Sequence, residues 1–269
     1  MSFQLDHLVH VTKNPLNAVE AFRSLGLHAV PGGRHENWGT RNGLCHFGLP
    51  YIEFLGIENS AIAKAVKDNT LIEQLAQEQD KGEGFARIAL RTSDIDEAAE
   101  IFRRNGIITI GPVKGRRKQP NGELLEWSML FIEETGEDRF KLPFIIDWKQ
   151  SDEERKDSLV KRGIILEDEK IKSTLAMVAI ATNKPEKIAD QWEHLFGAKR
   201  GKAHVNQTLN AHCVPVHLHG HTILFCAPIG EGLVRKSLEA RGERPFLATI
   251  FGENRDGSAE ICGGLYQFV

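Results

Sequence analysis

The stretch 5–27, LDHLVHVTKNPLNAVEAFRSLGL, decides the fold because its grammar recurs. Residues 85–107 read FARIALRTSDIDEAAEIFRRNGI, and residues 175–198 read LAMVAIATNKPEKIADQWEHLFGA. Each copy opens on a run of Val, Ile, Leu and Ala that predicts a strand, and each run ends at a threonine: Thr12, Thr92 and Thr182. A helix-start signal follows in all three. Asn14 precedes Pro15, Ser93 with Asp96 approximates a capping box, and Asn183 stands before Lys184 and Pro185. Apolar residues then fall at helical spacing. The stripes are Leu16, Val19, Phe22 and Leu25; Ile95, Ala98, Ala99 and Phe102; and Ile188, Trp192 and Leu195. Gly26, Gly106 and Gly197 suit the left-handed position that closes a helix.

Beyond each helix the pattern turns β-like. Residues 27–57 lose the helical period and carry Gly32-Gly33, Gly39, Gly43 and Pro50, which predicts three strands with tight links. Residues 107–127 contain Pro120-Asn121-Gly122, a hairpin signal, and FIIDW closes that unit. AHCVPVHLHGHTILFCAP alternates around its histidines and ends in a short apolar strand. The repeated unit is therefore βαβββ, and the fold class expected is α+β, with repeated βαβββ modules. Residues 1–148 are expected to hold two modules joined by a helical connector at 59–81. The charged stretch 149–170 reads as a linker with some helix, and 171–269 as a third module plus a shortened fourth. In that last part EGLVRKSLEARG is a connecting helix, and FLATIFG and ICGGLYQFV are strands.

Composition narrows the function classes. The net charge of −3 gives no reason to expect nucleic acid or a membrane surface as partner, and no apolar run is long enough to span a bilayer. No secretion signal is read in MSFQLDHLVHV. The four cysteines form neither a CxxC pair nor a disulfide framework. A cytoplasmic location is the expectation. There is no Walker loop, no GxGxxG after a strand, no GxSxG and no HExxH, so nucleotide cofactors and serine or zincin hydrolysis are unsupported.

The densest local signal is GGRHENWGT at 32–40, followed by Asn42. His35 offers proton transfer, Trp38 an aromatic wall, and Thr40 and Asn42 polar contacts. The run is expected to line a pocket rather than to serve only as a glycine-rich link. KGRRKQPNGELLEW sets Arg116, Arg117 and Lys118 beside a hairpin. It reads either as a charged edge strand or as an anion-recognition site, with Arg116 the candidate. Trp127 and Trp148 read as core or wall residues. His217, His219 and His221 would share a strand face able to chelate a transition metal, unless Gly220 makes a turn that scatters them.

Paired βαβββ modules resemble the vicinal oxygen chelate superfamily, and the first half resembles its glyoxalase-like branch. The resemblance rests on LDHLVH, GGRHENWGT with Asn42, YIEFLGIE, NGELLEW and PFIIDW, and it covers about the first 150 residues. It implies cupped mixed β-sheets of the glyoxalase/bleomycin resistance/dioxygenase type, a small, anionic or aromatic ligand, and lyase, isomerase or dioxygenase chemistry, often on a divalent metal. The implied ligand positions in the first module are His7 and Glu53, suited to Zn²⁺, Mn²⁺, Fe²⁺ or Ni²⁺. In the second module they fall on Arg87 and near Ile146, with Asp147 one residue off. Two readings give these residues roles, beside a third in which the chain is a structural or oligomeric scaffold with a vestigial cup. One is an enzyme using His7, Glu53 and His35 as acid–base or metal groups, with Trp38, Thr40, Asn42, Arg87, Arg116 and Trp127 on the substrate. The other is a metal-free binding protein in which His7 is a hydrogen-bonded strand residue, Glu53 pairs with Arg87, or Arg87 holds the anion. A homodimer fits the way such modules pair between chains.

Overall fold

The computed structural model describes residues 2–118, 124–133, 140–167, 170, 172–252 and 256–269. The hairpin expected at Asn121-Gly122 lies outside them. The first half runs β1 (Gln4–Val11), α1 (Pro15–Ser24), β2 (Ala29–His35), β3 (Thr40–His46), β4 (Tyr51–Ile57), α2 (Ser60–Ala65) and α3 (Thr70–Gln77). It continues with β5 (Gly84–Arg91), α4 (Ile95–Arg104), β6 (Thr109–Lys118), β7 (Leu124–Ile132) and β8 (Phe144–Asp147). The charged stretch supplies α5 (Asp152–Lys161). Then follow β9 (Ser173–Ala181), α6 (Pro185–Phe196), β10 (Lys199–Arg200), β11 (His204–Asn206), β12 (Ala211–Leu218) and β13 (His221–Pro228). The chain closes with α7 (Leu233–Arg241), β14 (Arg244–Gly252), β15 (Gly257–Ile261) and β16 (Gly264–Phe268).

The strands form two eight-stranded sheets. The first has the order β2-β3-β4-β1-β5-β8-β7-β6. It is symmetric about its centre: β1 and β5 are antiparallel neighbours, and each pairs outward with a parallel strand, β4 and β8. The second sheet repeats the plan, with β9 and β14 central, β13 and β16 parallel to them, and β11 beside β12.

The threonine that ends each opening strand has a local cause. Its hydroxyl accepts a hydrogen bond from the backbone N–H two residues on, at Asn14, Asp94 and Lys184, which bends the chain out of the strand toward the helix. Thr12 and Thr182 also donate to Glu83 and Glu243, and those carboxylates accept from the N–H of Lys13 and Asn183. The two sheets thus share one corner device. The caps differ in detail from expectation. Asn14 caps α1, but Asp94 rather than Ser93 caps α4 by accepting from Glu97 N, and α6 has no side-chain cap. Leu16 is 43% exposed, because Pro15 and Ala18 occupy the buried stripe of α1 beside Val19 and Phe22. Gly26, Gly106 and Gly197 do take positive φ after their helices.

Period-two alternation sorts the first sheet's side chains. Leu8, Ile52, Phe54, Ile88, Leu90, Leu130 and Ile145 belong to the core under the helices, and Phe22, Phe102, Trp192 and Tyr266 join that same core from elsewhere in the chain. The opposite face carries Val9, Leu55, Ala89, Trp127, Met129, Phe144 and Ile146, partly covered by α2 and α3. The matching face of the second sheet is filled by α7, with Val234, Leu233 and Leu238 packed on Ala179, Leu224 and Leu247.

Candidate functional site

The first sheet's open face is a concave cavity of about 640 Å³. Its floor is β1 and β4. In β1 the register shifts between Leu5 and His7, and such a bulge re-aims side chains, so adjacent Asp6 and His7 contact each other here. His7 donates from Nδ1 to Asp6 Oδ1 at 2.6 Å, and its Nε2 faces Glu53 Oε2 at 3.7 Å. Asp6 is fully buried and also accepts from Arg155 at 3.0 Å and from Trp148 Nε1 at 3.0 Å. Burial pushes the Asp6 carboxyl up, but Arg155, His7 and Arg91 outweigh it and hold the group well below the ordinary carboxylate range. Asp6 therefore stays an acceptor and fixes the His7 proton on Nδ1.

Glu53 is fixed from the other side. Asn42 donates to Glu53 Oε1 at 2.6 Å, and its own Oδ1 accepts from Gly33 N at 2.8 Å. The glycines make room for this. A Cβ at Gly32 would lie 2.0 Å from Asn42 Oδ1, and one at Gly33 would lie 2.6 Å from Arg117 Cδ. His35 is buried and shares a hydrogen bond with Thr40 Oγ1 at 3.0 Å. Burial pushes it down to about 4, aided by Arg117 and opposed by Glu53, so it is neutral at pH 7. The walls are aromatic: Trp38 and Trp127 centroids are 5.9 Å apart, Trp127 and Trp148 are 5.7 Å apart, and Tyr51 stacks on His7 at 4.6 Å.

His7, Glu53, His35, Trp38, Asn42, Arg116 and Trp127 all border the cavity. Two expected residues do not. Thr40 stands behind His35 and orients it. Arg87 is only 2% exposed and lies outside the cavity lining, donating to Thr70 Oγ1 and Leu142 O with its guanidinium 5.7 Å from the centres of the Phe131 and Phe144 rings. The register also moves the second module's last-strand position. Val9 pairs with Glu53 and its counterpart Ala89 pairs with Phe144, so Phe144 matches Glu53 in place of Ile146. Asp147 is engaged by Lys149.

Three contributors were missed. Asp6 escaped because strict alternation would put it opposite His7. Arg155 lies in a stretch read as linker, yet it is buried, with its guanidinium 4.4 Å from the centre of the Trp148 ring. Arg117 was set second to Arg116, although strand parity could have ranked them. Gly115 pairs with Trp127 and Arg117 with Leu125, on the cavity side, while Arg116 is exposed at the mouth.

The donor set does not fit a divalent metal. The four superfamily positions hold His7, Glu53, Arg87 and Phe144, and only the first two are ligands. Among the described residues no group of three or more His, Cys, Asp or Glu is arranged around a common point. The second histidine cluster is scattered. His219 and Gly220 form the turn between β12 and β13, His217 binds Thr222, His221 binds Leu175 O, and His219 binds Ser2.

A glyoxalase-like domain model matches residues 5–196. No curated protein matches the sequence. Among solved structures, a hypothetical protein from Staphylococcus aureus is 21% identical, with 99% of each chain covered and a TM-score of 0.80. A variant of 4-hydroxymandelate synthase from Streptomyces coelicolor is 11% identical, covering 96% of this chain and 72% of that one, with a TM-score of 0.58. These likenesses establish the fold, with no helix long and apolar enough to cross a membrane among the described residues. The repeated βαβββ order, the cupped sheets and the match over most of its length make this chain a member of the glyoxalase-like domain family.

Proposed function

We propose that the first sheet's cup binds a small, anionic or aromatic molecule and moves a proton on it, in a lyase- or isomerase-type reaction of the glyoxalase kind. The observation that carries this is the His7 Nε2–Glu53 Oε2 pair, 3.7 Å apart at the cavity floor, with each member locked by a buried partner. One of the two takes a proton from a hydroxyl-bearing carbon beside a carbonyl and returns it to the carbonyl carbon, while the hydroxyl proton passes to the former carbonyl oxygen, so the step balances without an external oxidant. Asp6 and Asn42 hold the pair in place, and the tryptophans exclude water. No step is routed through a metal, because the donor set supplies two ligands.

A second reading, a metal-free binding protein without catalysis, is supported by the replacement of two ligand positions by Arg87 and Phe144. A thermal-shift screen of small carbonyl compounds and acids finds ligands under either reading, because native-state binding raises Tm. Turnover is then followed by NMR in D₂O. The catalytic reading expects deuterium uptake into a hit compound, reduced about 100-fold or more in His7→Gln and Glu53→Gln. Binding with no exchange in the native protein leaves the binding reading. A homodimer, to be checked by light scattering, and a cytoplasmic location rest on the sequence alone.

A further inference from the structure

Arg117 projects from β6 into the cup as a half-buried cation with little to hold it. Among the described residues its side chain makes one hydrogen bond, from Nη1 to Asn42 Oδ1 at 3.4 Å, and no ion pair. A guanidinium has five N–H donors, and withdrawing an unpaired charge from water is costly. The other arginine deep in the cup, Arg155, is committed to Asp6.

Glu53 is the carboxylate whose charge acts on Arg117, and the fold keeps the two from pairing directly. Asn42 stands between them, with Nδ2 on Glu53 and Oδ1 toward Arg117. A direct ion pair would neutralise both groups. The intervening amide leaves the guanidinium edge for a ligand and the carboxylate beside His7. Gly33 lets the Arg117 stem pass close to β2, where any side chain would collide with it.

We infer that Arg117 is the anchor for a carboxylate on the cup's ligand, which lays an aromatic or other flat apolar body along Trp38, Trp127 and Trp148; this rests on the reading of the cup as a ligand site. The planar fork of arginine matches a carboxylate through two parallel hydrogen bonds. Charge selects the same class. The Arg117 guanidinium, held close to the Glu53 carboxylate, suits a monoanion, while the second charge of a phosphonate meets repulsion from Glu53. Anchored on Arg117, the ligand's adjoining carbon lies toward Asn42, Glu53 and His7, where the proton chemistry is assigned.

Three of the four tryptophans line the cup, and the fourth, Trp192, is buried in α6, so intrinsic fluorescence reports occupancy. The full chain is titrated with phenylacetate, 3-phenylpropionate and 2-naphthoate, with the primary amide of each, and with phenylphosphonate. The expected result is saturable quenching by at least one carboxylate, with its amide weaker by about tenfold or more. Arg117→Gln brings that carboxylate down to the amide's level and leaves the amide unchanged. Arg117→Lys, which keeps the charge but loses the fork, falls between. Arg104→Gln, on an exposed helix face, is the control, and melting curves check that each variant is folded.

Equal affinity of acid and amide in the native protein, tighter binding of phenylphosphonate, or undiminished acid binding in folded Arg117→Gln overturns the assignment. The acid–amide comparison needs no variant. If amides quench saturably, Trp127→Ala abolishes it and acids gain nothing, the cup survives and the carboxylate anchor does not. If no compound binds at about 10 mM, both fail.

Discussion

At the scale of single residues, Asp6 decides the chemistry of the cup although it does not border the cavity. It is fully buried, it fixes the His7 tautomer, and it is the partner that makes burial of Arg155 tolerable. Asp6→Asn keeps the shape but leaves a buried guanidinium without its counter-charge. Loss of one member of a buried pair costs about 3–5 kcal/mol, so urea unfolding at pH 7 is expected to show a destabilisation of that order. A change within 0.5 kcal/mol, about the noise between independent sites, would mean water compensates Arg155.

Buried histidines set a second residue-scale expectation. His10, held between the sheets by Tyr266 and the Cys262 carbonyl, is pushed down to about 4 by burial first and then by Arg241, with the Cys262 carbonyl and Glu83 opposing. His35 is likewise near 4. In the unfolded chain both titrate near pH 6.5. Between about pH 6.5 and 4 the unfolded state therefore binds more protons, and stability falls as pH falls, by up to about 1.4 kcal/mol per pH unit for each group. Asp6, held low in the fold, adds stability that is complete above about pH 4 and is lost at more acid pH. Urea midpoints measured from pH 7.5 down to 4 should decline through this window. A flat profile would contradict the neutral burial of the two histidines.

At the scale of elements, the threonine corners explain why a strand so reliably gives way to a helix in the three copies. Each hydroxyl satisfies a backbone N–H at the turn, and in the first and third copies it also donates to a glutamate from the neighbouring module. Valine keeps the size and removes the hydrogen bonds. Thr92→Val is expected to cost about 1 kcal/mol, and Thr12→Val and Thr182→Val more, because Glu83 or Glu243 loses a partner as well. Chemical denaturation of the three variants tests the ranking.

These elements were legible because their signals are local. Thr12, Pro15 and Gly26 announce strand, helix start and helix stop within 15 residues of one another. The cup's wall was legible in part, since GGRHENWGT concentrates residue types that a plain turn does not need. What was not legible depends on register and on long-range contact. The bulge that brings Asp6 beside His7 has no sequence mark. The slip from Ile146 to Phe144 needs the pairing of β5 with β8. Arg155 acquires its role only when α5 docks on a strand 149 positions earlier in the chain.

At the scale of the whole molecule, the two sheets share one core. Phe3 of the first half stacks on Phe102 and meets Phe196 of α6 edge-on, Phe22 packs on Tyr266, and Trp192 contacts Phe196 and Phe225. Across the same seam Arg244 grips Glu78 with two hydrogen bonds and Arg241 donates to Phe85 O. A fragment ending at residue 148 would keep the two modules of the first sheet but lose α5 and α6. It would expose Phe3, Phe22 and Phe102 on one side and leave Asp6 without Arg155 on the other. Apolar burial is the main force holding such a sheet, and an uncovered helix layer promotes association. The fragment 1–148 is therefore expected to bind a hydrophobic dye, to aggregate or melt without a cooperative transition, and to bind no ligand. The intact chain should unfold in a single step, with far-ultraviolet circular dichroism and tryptophan fluorescence coincident. The fluorescence samples both sheets, since Trp38, Trp127 and Trp148 sit in the first sheet's cup and Trp192 on α6. Two separated transitions, with a fragment that folds and binds alone, would mean that the seam joins independent units and that the cup needs nothing from the second sheet.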